Sequence, residues 1–173
     1  MPDRNFTPFP VLQTERLTLR PLTLQDDEQI FALRSDAAVN RYLDRKPSET
    51  IADARAFIEA IQEHNRRNES LYWAIECTGT DRLIGTICLF GFSGDPAQAE
   101  IGYELLPGFQ GKGIMQEALS AVIAYATGAL GLRSLEAGTH RDNEGSTKLL
   151  EKFGFQRQGA DGHFLLYKRT TAG

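Results

Sequence analysis

The spacing of apolar residues along the chain predicts a set of helices. Apolar side chains at Ala54, Phe57, Ile58 and Ile61 recur every three or four positions, which predicts an amphipathic helix over residues 49–65, with Ser48 as its cap. Residues 114–128 form a second periodic stretch with one apolar face, made of Met115, Ala118, Leu119, Val122, Ile123 and Ala126. Shorter helices are expected at residues 24–34, 37–43 and 143–153.

Short apolar runs bounded by turn residues predict the strands. These runs lie at residues 16–20, 71–78, 83–90, 98–106, 134–139, 155–159 and 163–168. Residues 79–81 and the pair Asp161-Gly162 have the composition of hairpin turns, and residues 91–95 are expected to form a loop. Residues 1–13 are rich in proline and are expected to be an irregular N-terminal arm. The remainder, residues 14–170, is predicted to be one mixed α/β domain.

Composition and charge narrow the class of protein. The 173 residues, with 41% hydrophobic and 24% charged, are ordinary for one soluble domain. The formal net charge of −4 argues against nucleic acid as a partner, because binding to a phosphate backbone needs a basic surface. The sequence has no signal peptide and no apolar run of membrane-spanning length, so we expect a cytoplasmic protein without a membrane partner. The histidines and cysteines show no metal-ligand spacing, so no metal is expected.

A glycine-rich stretch at residues 110–115 separates the predicted strand 98–106 from the predicted helix 114–128. The first N–H groups of a helix have no partner within it and carry partial positive charge. Glycines let the backbone approach an anion, and Lys112 adds a cation. The stretch therefore predicts a phosphate site, although such glycines often form only a turn. It fits neither the P-loop nor the dinucleotide fingerprint, which would need a further glycine where Gln116 stands.

A second motif lies at residues 143–155 and has the composition of a capped helix. Asn143 is a good N-cap, Glu144 suits the positive N-terminal end, and Gly154 can close the helix. Capping alone would explain these three residues. The combination of this helix with the upstream glycine stretch is much more specific than either motif alone.

Together the two motifs resemble the GCN5-related N-acetyltransferase (GNAT) superfamily. Its pyrophosphate loop, Gln/Arg-x-x-Gly-x-Gly/Ala, is similar to residues 110–115, with Met115 in place of the last small residue. The RimJ/RimL branch of protein N-terminal acetyltransferases resembles the chain most, at residues 14–20, 99–103, 111–115 and 143–155. The resemblance covers residues 13–169 and implies the GNAT fold. That fold has a central mixed, mostly antiparallel sheet that splays at its fourth strand and is flanked by helices.

The resemblance implies acetyl-CoA as the acetyl donor and an amine as the acceptor. The backbone of the glycine loop would hold the pyrophosphate, the backbone of the preceding strand would pair with the pantetheine arm, and the N-cap of the later helix would also reach that arm. The cofactor-binding residues expected on this basis are Tyr103, Glu104, Leu105, Gln110, Gly111, Lys112, Gly113, Ile114, Met115, Gln116 and Asn143. The acceptor would be a protein N-terminus or a small-molecule amine, and the protein a monomer or homodimer.

Acetyl transfer needs a base for the amine and a donor for the departing thiolate. Glu100 is the first candidate base, directly or through water. Glu104 shares its strand parity and would lie on the same face unless a bulge intervenes, and His140 is a further candidate. The tyrosine that many GNAT enzymes use as an acid would fall at Leu150. Ser146 matches a RimL-branch serine and is the candidate donor, unless its hydroxyl only caps the helix.

Two other classes of function stay open at this point. The chain could be a non-catalytic sensor that binds acyl-CoA through the same loop, or a structural module in which the glycines only form turns. Residues 155–168 form a compact hairpin where RimL-type enzymes carry a longer segment. Specificity for ribosomal proteins therefore does not follow from the sequence.

Overall fold

The structure, a computed structural model, describes residues 5–43, 45–94 and 97–170. Its strands are β1 (Leu12–Gln13), β2 (Leu17–Pro21), β3 (Leu71–Cys77), β4 (Leu83–Gly94), β5 (Ala97–Leu105), β6 (Ser134–His140), β7 (Gln156–Asp161) and β8 (Phe164–Thr170). Its helices are α1 (Asp27–Ser35), α2 (Ala37–Asn40), α3 (Ile51–Arg66), α4 (Ile114–Gly128) and α5 (Glu144–Lys152). Short 3-10 turns at Leu24–Asp26 and Pro107–Phe109 precede α1 and the glycine loop.

The strands form one sheet in the order β1-β2-β3-β4-β5-β6-β8-β7. All neighbours are antiparallel except β5 and β6, which α4 joins as a crossover. Helices α1 and α3 cover one face around Ile30, Ile58 and Ala74. Helices α4 and α5 cover the other face, where Trp73 and Leu119 are fully buried. The mixed, mostly antiparallel sheet with flanking helices is therefore present as predicted.

Strands β5 and β6 separate after a short parallel contact. Their register contains three residue pairs, Gln98↔Ser134, Ala99↔Leu135 and Glu100↔Glu136. Beyond this point β5 stays with β4 as far as Leu105, while β6 stays with β8 as far as His140. The sheet consequently opens into a wedge after Glu100, which is the splay that the resemblance implied.

The irregularity in this part of the sheet lies in β4 rather than between the two carboxylates of β5. The β4–β5 register is continuous from Glu100 to Leu105 and shifts between Phe90 and Ser93. No bulge therefore separates Glu100 from Glu104, and both remain on one face of β5. The predicted loop at residues 91–95 is wrong for 91–94, because a bulge with Gly91 at φ 60° absorbs an extra residue and lets β4 continue. Asp95 lies outside the described residues.

The segment predicted as an irregular arm packs on the domain. Phe6 is 5% exposed, and its amide donates to Asn68 Oδ1 over 2.8 Å. Trp73 Nε1 donates to the carbonyl of Pro10 over 2.7 Å, and Leu12–Gln13 adds β1 to the sheet edge. Proline-rich segments have no apolar period, so these contacts could not be predicted from the sequence. Residues 1–4 lie outside the described part of the chain.

The start of α3 differs from the predicted cap. Thr50 Oγ1 accepts from the amide of Asp53 over 3.1 Å, and Asp53 Oδ2 accepts from the amide of Thr50 over 3.1 Å. This reciprocal pair is a capping box, which needs an acid or amide three residues after the cap. Ser48 has Ile51 at that spacing, so the predicted cap at Ser48 is wrong. By contrast, α4 has its predicted bounds.

Thr50→Ala is expected to lower the free energy of unfolding by about 1 kcal/mol, because the orphan amide of Asp53 loses its acceptor. Ser48→Ala is the matched control and is expected to change that free energy by less than about 0.5 kcal/mol. Urea denaturation followed by circular dichroism measures both values. Equal losses in the two variants would contradict the assignment of the cap.

Candidate active site

A cavity of about 490 Å³ lies beside the part of β5 that has left β6. Its walls come from the end of β5, the glycine loop, the first turns of α4 and α5, and α2 with the turn after it. The lining residues are Ala38, Val39, Tyr42, Leu43, Tyr103, Glu104, Leu105, Gln110, Gly111, Gly113, Ile114, Met115, Gln116, Asn143, Gly145, Ser146 and Leu149.

Most residues singled out from the sequence meet at this cavity, but Lys112, Glu100 and His140 do not line it. Lys112 is exposed, with its Nζ 5.8 Å from the centre of the Phe109 ring. Glu100 is exposed and stands where β5 leaves β6. The sequence did not indicate the wall made by Val39 of α2 and by Tyr42 in the turn after it, because a short helix far away in the chain carries no sign of where it packs.

The glycine loop leaves a row of backbone donors at the start of α4. Gly111 and Gly113 have φ of 75° and 76°, which lie in the left-handed region that favours glycine. Gly113 is the N-cap of α4 without a side-chain cap, and the first bond into the helix runs from Glu117 N to Gly113 O over 3.1 Å. No turn or capping bond joins the amides of residues 111–116 to another described residue. These free donors suit an anion.

Arg16, immediately before β2, connects the glycine loop to α4 by hydrogen bonds. Arg16 Nη1 donates to the carbonyl of Lys112 over 3.1 Å, while Arg16 Nε donates to Glu117 Oε1 over 2.8 Å. Burial alone would raise the pKa of Glu117, but hydrogen bonds from Thr14 and Arg16 outweigh it and lower that pKa. The sequence marked Arg16 only as part of a motif, and its contact with the loop came from the structure.

The first turn of α5 brings a hydroxyl to the cavity. Asn143 Oδ1 accepts from the amide of Ser146 over 3.2 Å, so Asn143 is the N-cap, as predicted. The hydroxyl of Ser146 forms a 2.8 Å hydrogen bond with the hydroxyl of Tyr103 and does not cap the helix. Burial raises the pKa of Tyr103, and this hydrogen bond partly offsets the rise. Leu150 is fully buried in the core, away from the cavity wall.

The two carboxylates of β5 have different surroundings. The side chain of Glu104 is 13% exposed, forms an ion pair with Arg45, and has no hydrogen-bond partner at Oε2 among the described residues. Burial raises the pKa of Glu104, against the opposing effect of Arg45 and Arg34. Partial burial and repulsion from Glu136 raise the pKa of Glu100, which forms no ion pair with a described residue.

The structure gives His140 a role in packing. Its Nδ1 accepts from the amide of Asp142 over 3.1 Å, and its ring stacks on that of His163 with centroids 5.7 Å apart. Because Nδ1 accepts a hydrogen bond, Nε2 carries the proton in the neutral ring. The neutral ring therefore offers no free lone pair to an amine, and His140 is not among the residues that line the cavity.

The described residues contain neither a metal-binding cluster nor a helix that could span a membrane. Within residues 5–43, 45–94 and 97–170, no group of three or more His, Cys, Asp or Glu is placed to hold a metal ion. Over the same ranges no helix combines the length and the apolar character needed to cross a bilayer. Cys77 and Cys88 are free thiols.

Comparison with known proteins gives consistent matches along the chain. Residues 16–156 match the family model described as the acetyltransferase (GNAT) domain. YoaA of Bacillus subtilis, an uncharacterized N-acetyltransferase, is 40% identical over 87% of this chain and 85% of its own. The [ribosomal protein uS5]-alanine N-acetyltransferase of Escherichia coli is 28% identical over 94% of this chain and 87% of its own.

The same fold occurs among solved structures. RimL, the ribosomal L7/L12 alpha-N-protein acetyltransferase in complex with coenzyme A, superposes with a TM-score of 0.81 at 19% identity, covering 93% of this chain and 98% of that one. The open, mixed eight-stranded sheet with helices on both faces is thus the GNAT fold. The family model matches most of this chain, and one relative is 40% identical to it. This chain therefore belongs to the GNAT family of N-acetyltransferases.

Proposed function

We propose that this N-acetyltransferase moves an acetyl group from acetyl-CoA to a primary amine, with the donor bound in the cavity beside β5. The observation that carries the proposal is the layout of that cavity. Free amides at the start of α4 stand at one part of its wall, and a paired hydroxyl, Ser146, stands at another. An anionic pyrophosphate suits the first and a leaving thiolate suits the second.

The loop and the strand edge each have a part in holding the donor. The amides of residues 111–116 would bind the pyrophosphate, with Lys112 close enough to add positive charge from outside the cavity. Within the described part of the chain, residues 103–105 of β5 have no strand partner on the side that faces β6, so their backbone groups can pair with the pantetheine arm. Gln110 Nε2 donates to Leu105 O over 3.0 Å and fixes the point where this edge ends.

Asn143 can serve the helix and the donor at once. Its Oδ1 is used by the cap of α5, which leaves the side-chain NH₂ as an available donor on a residue that lines the cavity. An amide donor suits a carbonyl of the pantetheine arm. The cap also fixes the rotamer, so this donor is held in place before the ligand arrives.

For the base we propose Glu100, directly or through a water molecule. It stands at the apex of the wedge between β5 and β6, on the face of β5 opposite Tyr103. Its raised pKa makes it a better proton acceptor than an ordinary carboxylate. Burial raises the pKa of Glu104 as well, but its carboxylate is held in an ion pair with Arg45 and is less free to reach an amine.

Stability and turnover together test this function. With acetyl-CoA at about 100 times its dissociation constant, a single site adds roughly 2.7 kcal/mol, which a thermal melt detects readily. Thiol release is then followed with an alanine-initiated peptide, a polyamine and a free amino acid as acceptors. We expect stabilisation by acetyl-CoA and thiol release with at least one amine class. Stabilisation without thiol release from any acceptor would indicate an acyl-CoA sensor, and neither effect would indicate a structural module.

A further inference from the structure

Two hydroxyls from opposite walls of the cavity meet at hydrogen-bond distance. Tyr103 comes from β5 and Ser146 from the first turn of α5, and their oxygens lie 2.8 Å apart. Both residues line the cavity. Among the described residues, this side-chain hydrogen bond joins the free edge of β5 to α5 across the wedge.

We infer that the Tyr103 phenol donates to Ser146 Oγ and thereby directs the Ser146 proton at the sulfur that leaves the acetyl group. Tyr103 is then a positioning residue for Ser146. This inference rests on the proposed acetyl transfer and adds to it a side chain that the sequence marked only for its backbone.

The direction of the hydrogen bond follows from the acidity of the two groups. A phenol is a stronger acid, and so a stronger donor, than an aliphatic hydroxyl. A serine hydroxyl has one proton and two lone pairs, so Oγ can accept from the phenol and still donate elsewhere. Burial raises the pKa of Tyr103 and keeps the phenol protonated at neutral pH. The Ser146 proton is therefore the one left free for the cavity.

The rest of α5 gives Ser146 no competing partner or substitute. The amide of Ser146 is already capped by Asn143 Oδ1, so the hydroxyl is not needed to stabilise the helix start. Thr147, the other hydroxyl of α5, donates to the carbonyl of Glu144 over 3.0 Å. Leu149 and Leu150 are apolar, and Leu150 lies in the core. Among the side-chain hydroxyls of α5 and β5, the Tyr103–Ser146 pair is thus the one that lines the cavity.

Each proton and electron pair has a destination in this transfer step. The amine nitrogen forms a bond to the acetyl carbon, the carbon–sulfur bond breaks, and the sulfur takes the electron pair. The Ser146 hydroxyl donates its proton toward this sulfur, and the Tyr103 proton moves to Ser146 Oγ. Tyr103 recovers a proton from solvent once coenzyme A has left, and the proton lost by the amine goes to the base.

Three variants and one control test the pairing. Tyr103→Phe and Ser146→Ala are each expected to lower kcat by roughly 10-fold or more, less than a fully enclosed donor contributes, because the cleft is open to water. The Kd for acetyl-CoA, measured by calorimetry, should stay within about twofold, since the pair acts when sulfur gains charge. The double variant should be no slower than the slower single variant. Tyr125→Phe removes a half-buried phenol outside the cavity and is the matched control, expected to keep wild-type kcat.

The outcomes separate this inference from the function on which it rests. Wild-type kcat in Tyr103→Phe or in Ser146→Ala would overturn the inference, and so would losses that multiply in the double variant, because independent groups behave in that way. An equal loss in Tyr125→Phe would overturn it too, by showing a general effect on the core. A wild-type protein that releases no thiol with any amine would overturn the proposed function and this inference together.

Discussion

Gly113→Val is expected to weaken acetyl-CoA binding on the order of 100-fold in a protein that still folds. The loss of two charge-assisted hydrogen bonds, at about 1.5 kcal/mol each, has an effect of that size. Gly113 has φ of 76°, where a β-branched residue is strained, and relaxation of that strain moves the amides that face the cavity. A Cβ at this position would meet Arg16 Nη2 at 3.5 Å, an ordinary contact. The protein itself therefore has room for a Cβ at this position, so the expected loss is in binding rather than in folding.

The matched control for this change is Gly154→Val. Gly154 also has a left-handed φ, of 83°, and a Cβ there meets nothing within 4 Å. It lies after α5, away from the residues that line the cavity, so it carries the same kind of strain without touching the loop. Isothermal calorimetry on both variants, with circular dichroism to verify folding, separates strain from binding. Wild-type affinity in a folded Gly113→Val protein would rule out the loop as the pyrophosphate site.

Glu100→Gln is expected to lower turnover by about 10²–10⁴-fold with acetyl-CoA affinity unchanged, because the amide keeps the shape of the side chain and cannot accept the proton. The pH profile carries a second expectation. A base works when deprotonated, so the rate falls as pH drops through the pKa of Glu100. Burial and Glu136 raise that pKa, so the acid limb lies above the range of an ordinary carboxylate and disappears in the variant. Stopped-flow assays at saturating acetyl-CoA measure both.

Glu104→Gln is the comparison that assigns the role. It leaves Arg45 without its charged partner in a largely buried position, so the expected loss is in the free energy of unfolding rather than in the chemical step. If Glu104→Gln removed the acid limb and Glu100→Gln kept it, the base would be Glu104. If both kept it, the limb would belong to another group, such as the acceptor amine itself.

Local patterns were sufficient to predict the elements that surround the cavity. The period of apolar residues gave α4 with its observed bounds, and the composition of residues 110–113 placed a glycine turn before it. Asn143 was predictable as a cap because capping depends on neighbours within three residues. In each case, the residues whose interactions determine the feature lie within a few positions of one another in the chain.

Contacts between distant segments were not predictable in the same way. The Tyr103–Ser146 hydrogen bond joins residues 43 positions apart, and the ion pair of Arg45 with Glu104 joins residues 59 positions apart. Strand parity predicted that Glu100 and Glu104 lie on the same face of β5. Only the packed structure shows that Glu104 pairs with Arg45, whereas Glu100 forms no ion pair with a described residue. The extension of β4 past Gly91 was missed because a bulge lets a strand pass through residues that usually form loops.

The three residue pairs between β5 and β6 have a mechanical consequence. They divide the hydrogen-bonded sheet into two parts, β1 to β5 and β6 to β8, that meet along a short seam. A pantetheine arm lying along residues 103–105 would extend the seam in the direction where the protein leaves it open. Binding of the donor would then add hydrogen bonds along the free edge of β5. Release of the arm would remove them, so each turnover would change the pairing at this edge of the sheet as well as a chemical bond.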